Sequence, residues 1–543
     1  MISRRRFLIG AAGTGGLVVT AAALSACGST VPPPVPATPT PAPTPPMPSL
    51  GASAAPPSAA PPSPSPTPAA LGPPVRRVDY PVAREARRRG TSAWDLGFCG
   101  YAAAEGYLSR ASVGPGEPFT LHLGSDAGPV DVAWYRLGWY DGMGARLVRR
   151  DRGLRAVPPV RSGPDRGLGL VEARWDPALE LTAGKDWTSG AYVAVLHPAS
   201  GGVGHVPFIV RPPAISAQPG GPAPILFVSA AATWQAYNGW GAKSLYDYNS
   251  SGIDMPHGTT RALAVSFDRP HLRDQGTGLA YGWEIQFVRW QERQRRDVEY
   301  IADVDLELHP ELVAGRRLLV FAGHHEYWSR GMRDTLEGAI AAGTNVAFLS
   351  ANEVYWQVRL EPSPLGPARR VICYKSARLD PVCHADPELT TCRWREAPVN
   401  EPEATVVGQM YAHVVARPAD WRVANAGHWL YRGTGMHDRD RITNLVGQEY
   451  DTFRPELAPP GTVILARSPV RPNMADPRLP PLHTATMYTA PSGATVFAAG
   501  TFQWSWALDS FGMRSYLGIR TPLDRRVSIM TANLFNRLGD GPA

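Results

Sequence analysis

Cysteine is scarce in this 543-residue chain, with five copies, and none of them forms a CxxC pair. That excludes the common four-cysteine zinc modules, and no HExxH helix is present to hold zinc through histidine. A Gly-x-Ser-x-Gly elbow is missing, and no cysteine follows a strand at such a turn. Acyl-enzyme chemistry therefore has little to build on. An excess of one charge is also absent from the body. The formal +7 is already complete within residues 1–90, where Arg4, Arg5, Arg6, Arg76, Arg77, Arg84, Arg87, Arg88 and Arg89 face only Asp79 and Glu85. What remains is 45 basic against 45 acidic side chains, and a neutral body argues against nucleic acid as a partner. Beyond the N-terminal stretch no apolar run is long enough to span a bilayer.

What is present begins with "SRRRFL", Ser3 to Leu8, followed by a mild Gly/Ala-rich apolar stretch and "LSAC", Leu24 to Cys27. A positive region, an apolar region and small residues at a cleavage point form an export signal, assigned to residues 1–27. Its arginines resemble a twin-arginine signal and its end resembles a bacterial lipobox. A plain secretory signal or an ordinary membrane anchor is the alternative. Residues 31–74 hold 19 prolines and no charged side chain, so 28–75 is read as an extended, disordered spacer. The expectation is an exported cell-envelope lipoprotein, tied to the membrane by a lipid on Cys27. The twin-arginine route carries folded proteins, often with a cofactor already inside. Cys99, Cys373, Cys383 and Cys392 are read as structural, with one or two disulfides and one pair within reach among the last three.

Two globular parts follow. Residues 92–212 read as an all-β sandwich of Ig-like type, with short strands such as "VDVAWYRLGWYDG" and "SGAYVAVLHP" bounded by Gly and Pro turns. Trp134, Tyr135, Trp139 and Tyr140 are core and inter-domain packing or, alternatively, a sugar-binding platform. Residues 222–540 change to βα alternation: "PILFVSA" is a continuous apolar run and "ALAVSF" is a further candidate strand. Trp283, Phe287 and Trp290 lie at helical spacing. "RRLLVFAG" leads to Ser329 as the N-cap of a helix that ends at Gly343, before the strand "NVAFLSAN". The fold class is α/β plus β-sandwich, the α/β part being a doubly wound domain with a mainly parallel sheet.

In such sheets ligands sit beyond the carboxyl ends of the strands, and the conspicuous polar residues collect there. One strand runs out towards Tyr237, Tyr246 and Tyr248, the next to His324, His325 and Glu326, and another to Asn352. Phenolate and carboxylate are hard oxygen donors, suited to ferric iron rather than to metals that prefer soft ligands. Zinc is the less favoured metal. A packed aromatic with a satisfied hydroxyl is the ordinary fate of each tyrosine taken alone.

The stretches "TWQAYNGWGAKSLYDY", "SFDRP", "FAGHHEYWSRGMRDTLE", "NVAFLSANEVYWQVR", "CYK", "GTGM", "LVGQEYD" and "FAAGTFQWSWALD" resemble the catalytic region of the N,N-dimethylformamidase large (beta) subunit family. The resemblance spans about residues 95–535 and is strongest over 233–360. It implies a glutamine-amidotransferase-like α/β domain beside a β-sandwich, and amide hydrolysis at mononuclear ferric iron. It implies Tyr237, Tyr246 and Glu326 as iron ligands, with His324, Asn352 and Glu449 as catalytic positions. Tyr327 and Trp328 are read as packing, and His325 is left unassigned. The enzyme that names the family works with a small subunit in the cytoplasm, so the resemblance bears on the metal site more than on the substrate. The expected function is an exported iron-dependent amidohydrolase acting on a C–N bond of a small amide. A non-catalytic envelope lipoprotein binding carbohydrate or peptide, and a zinc hydrolase, are the alternatives. Association into a homo-oligomer is left open.

Overall fold

The computed structural model describes residues 81–95, 103–160, 162–218, 221–272, 279–474, 480–512 and 515–540. The signal, the Pro-rich spacer, Cys27 and Cys99 lie outside the described residues.

"VDVAWYRL" explains how the two globular parts meet. Successive side chains of a strand point to opposite faces, yet in Val130–Leu137 every residue but Asp131 is buried. The reason is that both faces are covered. Val132 and Trp134 pack with Phe119, Leu121, Leu123, Tyr192 and Phe208 inside the sandwich. Ala133, Tyr135 and Leu137 instead join a second core that contains Ile225, Phe287 and Trp290 of the following part. The sandwich comprises a three-stranded sheet (Ala104–Leu108, Pro118–Ser125, Pro177–Thr182) and a five-stranded one built around Val130–Leu137 and Gly190–Pro198. Trp134, Tyr135 and Tyr140 are each at most 1 % exposed, which makes these three aromatics packing residues. Arg136 crosses the same junction and forms a fully buried ion pair with Glu292, 2.7 Å apart.

The second part is organised by a seven-stranded sheet, whose strands are numbered here in chain order: β1 (Ile225–Ser229), β2 (Val298–Ala302), β3 (Leu318–Phe321), β4 (Asn345–Phe348), β5 (Val463–Pro469), β6 (Leu482–Thr489) and β7 (Thr495–Ala498). Their spatial order is 2-1-3-4-7-6-5. The pairs β2–β1, β1–β3, β3–β4 and β4–β7 are parallel, whereas β6 and β5 return antiparallel. Alternate residues feed opposite faces: Phe227 and Val320 pack against Phe287, Val527 and Leu534, while Val228, Leu319 and Phe348 pack against Met332, Leu336 and Ile340. Helices thus cover both sides, and this is why β1 and β3 read as near-continuous apolar runs instead of alternating.

Local sequence signals act as expected at the helix Arg330–Ala341. Ser329 Oγ accepts from Met332 N at 3.2 Å, and Gly343 follows the helix with φ +95°. Thr344 N–H reaches back to Ala339 O at 2.9 Å, closing the C-terminal turn. One candidate strand forms in a separate sheet, and one expectation needs correction. "ALAVSF" supplies Ala264–Ser266, which lies outside the central sheet and pairs antiparallel with Gly366–Ile372 in a smaller four-stranded sheet. Cys373, Cys383 and Cys392 are free thiols. The sulfurs of Cys373 and Cys392 turn to separate backbone carbonyls, those of Gln357 and Ala397.

Candidate metal centre

The strand order reverses between β1 and β3, and the crevice at such a reversal is where open α/β sheets place ligands. β1 continues into the short helix Ala231–Ala236, which ends at Tyr237. The first turn of this helix needs acceptors for its free N–H groups, and two buried carboxyls supply them. Asp303 accepts from Ala232 N at 3.1 Å. Glu284 accepts from Ala230 N at 3.1 Å, from Trp234 Nε1 at 2.8 Å and from the Ser229 hydroxyl. Burial pushes Glu284 up to about 7.

Tyr246 is reached through a loop anchored on Arg269, whose guanidinium donates to the carbonyls of Trp240, Lys243 and Asn238 at 3.0, 2.9 and 2.8 Å. β3 runs into His324, His325 and Glu326, and Glu326 N donates to Thr233 Oγ1 at 3.1 Å. That bond ties the two loops together.

Three oxygen donors converge as a result. Tyr237 Oη lies 2.7 Å from Glu326 Oε2. Tyr246 Oη lies 2.8 Å from both Glu326 oxygens and 3.0 Å from Tyr237 Oη. Oxygens in adjacent positions around a small ion, each at ~2.0 Å, stand about 2.8 Å apart, so the set matches the spacing that one small hard cation requires. Tyr237, Tyr246 and Glu326 are 7 %, 3 % and 0 % exposed. Burial raises the Glu326 carboxyl, but the His324 hydrogen bond and charge, the Lys375 charge and the Tyr237 hydroxyl outweigh it and hold the group below its usual range. Among the described residues no three His, Cys, Asp or Glu side chains group as a metal site, so a ligand set here has to include the phenols.

His324 joins the cluster through Nε2, 3.1 Å from Glu326 Oε2 and 3.3 Å from Tyr237 Oη. Its ring is held between Trp283, stacked at 5.6 Å, and Phe502 at 4.2 Å. Asn352, in the loop after β4, and Glu449, at the start of a short strand, are linked through Asp451. Asn352 N donates to Asp451 Oδ1 at 2.9 Å, and Glu449 shares Asp451's strand, Glu449–Thr452, two residues away and therefore on the same face. The Asn352 side-chain amide is buried and has no hydrogen-bond partner among the described residues, so it makes no bond to the oxygen cluster. Its backbone is left-handed at φ +57°, a conformation asparagine tolerates. His325 is turned into the core against Phe321, and burial pushes it down to about 3. Tyr248 packs its ring on Tyr246 at 5.4 Å.

The family model for the N,N-dimethylformamidase beta subunit-like, C-terminal region matches residues 131–517. The chain belongs to this family. The match begins in the sandwich strand Val130–Leu137 and includes all six residues, Tyr237, Tyr246, His324, Glu326, Asn352 and Glu449. No curated protein matches the chain. Among solved structures it is similar to an uncharacterized protein from Bacillus anthracis str. Ames, at 13 % identity over 19 % of this chain and 79 % of that one, TM-score 0.13. It is also similar to a Paenibacillus sp. cycloisomaltooligosaccharide glucanotransferase complexed with cycloisomaltoheptaose, at 12 % identity over 52 % of this chain and 36 % of that one, TM-score 0.16. At those TM-scores neither structure bears on the fold or the chemistry.

Within this dimethylformamidase-like site, three side chains extend the set read from sequence. Tyr327, expected only to pack, donates its hydroxyl to Tyr246 Oη at 2.7 Å. Trp356 Nε1 donates to Glu326 Oε1 at 3.1 Å. The Lys375 ammonium sits 3.5 Å from the centre of the Tyr246 ring. Lysine is rare here, with three copies among 54 basic residues, and that rarity within "CYK" was the available signal for it.

Proposed function

We propose that this protein is an exported, iron-dependent amidohydrolase that hydrolyses the C–N bond of a small amide. The observation that carries the reading is the convergence of Tyr237, Tyr246 and Glu326 oxygens within 2.7–3.0 Å of one another, a hard-donor set suited to ferric iron. Membership of the dimethylformamidase-like family supports the amide chemistry. The strand order, with helices on both faces and the site at the reversal, supports a doubly wound, amidotransferase-like domain. Export and a lipid on Cys27 rest on the sequence of residues 1–27.

Iron held there would supply Lewis acidity towards an amide carbonyl or a water molecule. Glu449, buried beside Asp451, is the general base that takes a proton from the attacking water. The free amide of Asn352 provides a hydrogen-bond donor for the oxygen that gains charge as water adds to the carbonyl carbon, and His324, clamped by Trp283 and Phe502, orients the same group. The C–N bond then breaks, the proton passes to nitrogen, and a carboxylic acid and an amine leave. The test is direct: purified protein should contain about one iron per chain, and Glu326→Ala should lose it. Iron-free protein, or unchanged metal in the variant, contradicts the assignment.

A further inference from the structure

A cavity of about 30 Å³ lies between the sandwich and the helix Ala231–Ala236, lined among others by Tyr107, Trp234, Phe267, Arg269, His271 and Arg369. Among the described residues no Asp or Glu lines it. Space for a water-sized occupant needs roughly 10–15 Å³, so the cavity accepts a small ion.

Two of its lining residues each carry a buried N–H donor with no acceptor among the described residues. The first is Arg269 Nε. Arg269 is 1 % exposed, and its other nitrogens are spent on backbone carbonyls. The one carboxylate whose charge favours this guanidinium, Glu172, is hydrogen-bonded to Arg370 and Ser266 instead, so the buried cation is bonded only to neutral carbonyls. The neighbouring Arg369 has a bonded carboxylate, Asp268 Oδ1 at 2.8 Å. The second donor is His271 Nδ1, and a hydrogen-bond chain fixes its proton. Trp240 N and Leu272 N both donate to Asn238 Oδ1, at 3.1 Å each. Asn238 Nδ2 therefore donates to Gln235 Oε1 at 3.0 Å. Gln235 Nε2 then donates to His271 Nε2 at 3.2 Å, which leaves the imidazole proton on Nδ1.

We propose that this cavity binds one small monovalent anion, a halide or a carboxylate of formate size, through Arg269 Nε–H and His271 Nδ1–H. The anion supplies a directly bonded countercharge to the guanidinium that holds the carbonyls of Asn238, Trp240 and Lys243, and so stiffens the stretch between Tyr237 and Tyr246. Halide comes from the medium, whereas a small carboxylate is the acid product of amide hydrolysis. The two share one recognition chemistry.

The test needs neither iron nor activity, so it stands apart from the proposed reaction. Thermal unfolding of the full chain is followed at constant ionic strength, with sodium methanesulfonate replaced stepwise by sodium bromide in one arm and sodium formate in the other. A saturable rise in Tm with either anion is expected, and the arm that responds at lower concentration identifies the source. His271→Leu leaves the Arg269 clamp in place and should raise the half-saturating concentration about tenfold, the loss of one hydrogen bond to an ion. A bromide-soaked crystal should show its anomalous peak within hydrogen-bond distance of both nitrogens. No saturable rise in either arm, an equal response in His271→Leu, or a water at the bromide position overturns the proposal.

Discussion

The Tyr246 hydroxyl stands 2.8 Å from both carboxylate oxygens of Glu326, although 80 residues separate the two in sequence. The loops after β1 and β3 create this contact by meeting where the strand order reverses. It makes the tyrosines and the glutamate a single unit, and the predictions below separate that unit from its surroundings.

Asn352→Ala should keep its iron and lose turnover by about 10²–10³-fold, the typical effect of removing one oxyanion donor. The amide has no hydrogen-bond partner among the described residues, so folding should be little affected. Parallel metal analysis and steady-state kinetics on a small amide check this; loss of metal would assign Asn352 to the ligand set instead.

Tyr327→Phe removes the hydroxyl that donates to Tyr246 Oη. One such bond contributes about 1 kcal/mol. The variant should therefore retain iron, shift any phenolate absorption band and change kcat by no more than about tenfold. Complete loss of iron would place Tyr327 among the ligands.

Arg136→Met should destabilise the fold by roughly 3–5 kcal/mol in urea unfolding, because Glu292 is left charged and buried. Glu292→Gln added to it should recover part of that loss. A cost below about 1 kcal/mol for Arg136→Met would show that the pair contributes little to the junction between sandwich and sheet.

Glu284 gives a pH signature. Its folded value, about 7, lies above its ordinary value of about 4.3, so between those limits the folded chain holds a proton that the unfolded chain has released. Its contribution is therefore complete below pH ~4.3 and declines as pH rises towards 7. Glu284→Gln copies the protonated form. The stability of the wild type relative to Glu284→Gln should fall across that window, read from Tm at several pH values. A difference independent of pH contradicts the assignment.

Much of this was legible because it depends on local patterns. Continuous apolar runs marked β1, β3 and β4, and Ser329 and Gly343 marked the ends of one helix. The positions of polar residues after those runs located the loops that form the cluster. The placement of "ALAVSF" was not legible, since three residues of a short strand do not reveal which sheet they join. The function of Tyr327 was hidden for a related reason: its ring packs as expected, and only the tertiary fold brings its hydroxyl to Tyr246. Free sulfurs at Cys373 and Cys392 likewise depend on side-chain direction, which sequence distance does not encode.

The central claim is that Tyr237, Tyr246 and Glu326 hold ferric iron, and one measurement tests it most directly. The purified, folded protein is analysed for metal and its visible spectrum recorded beside that of Tyr246→Phe. The account predicts about one iron per chain and a visible phenolate-to-iron band that is weakened or lost in the variant. A colourless wild type without iron, or an identical band in Tyr246→Phe, would contradict it.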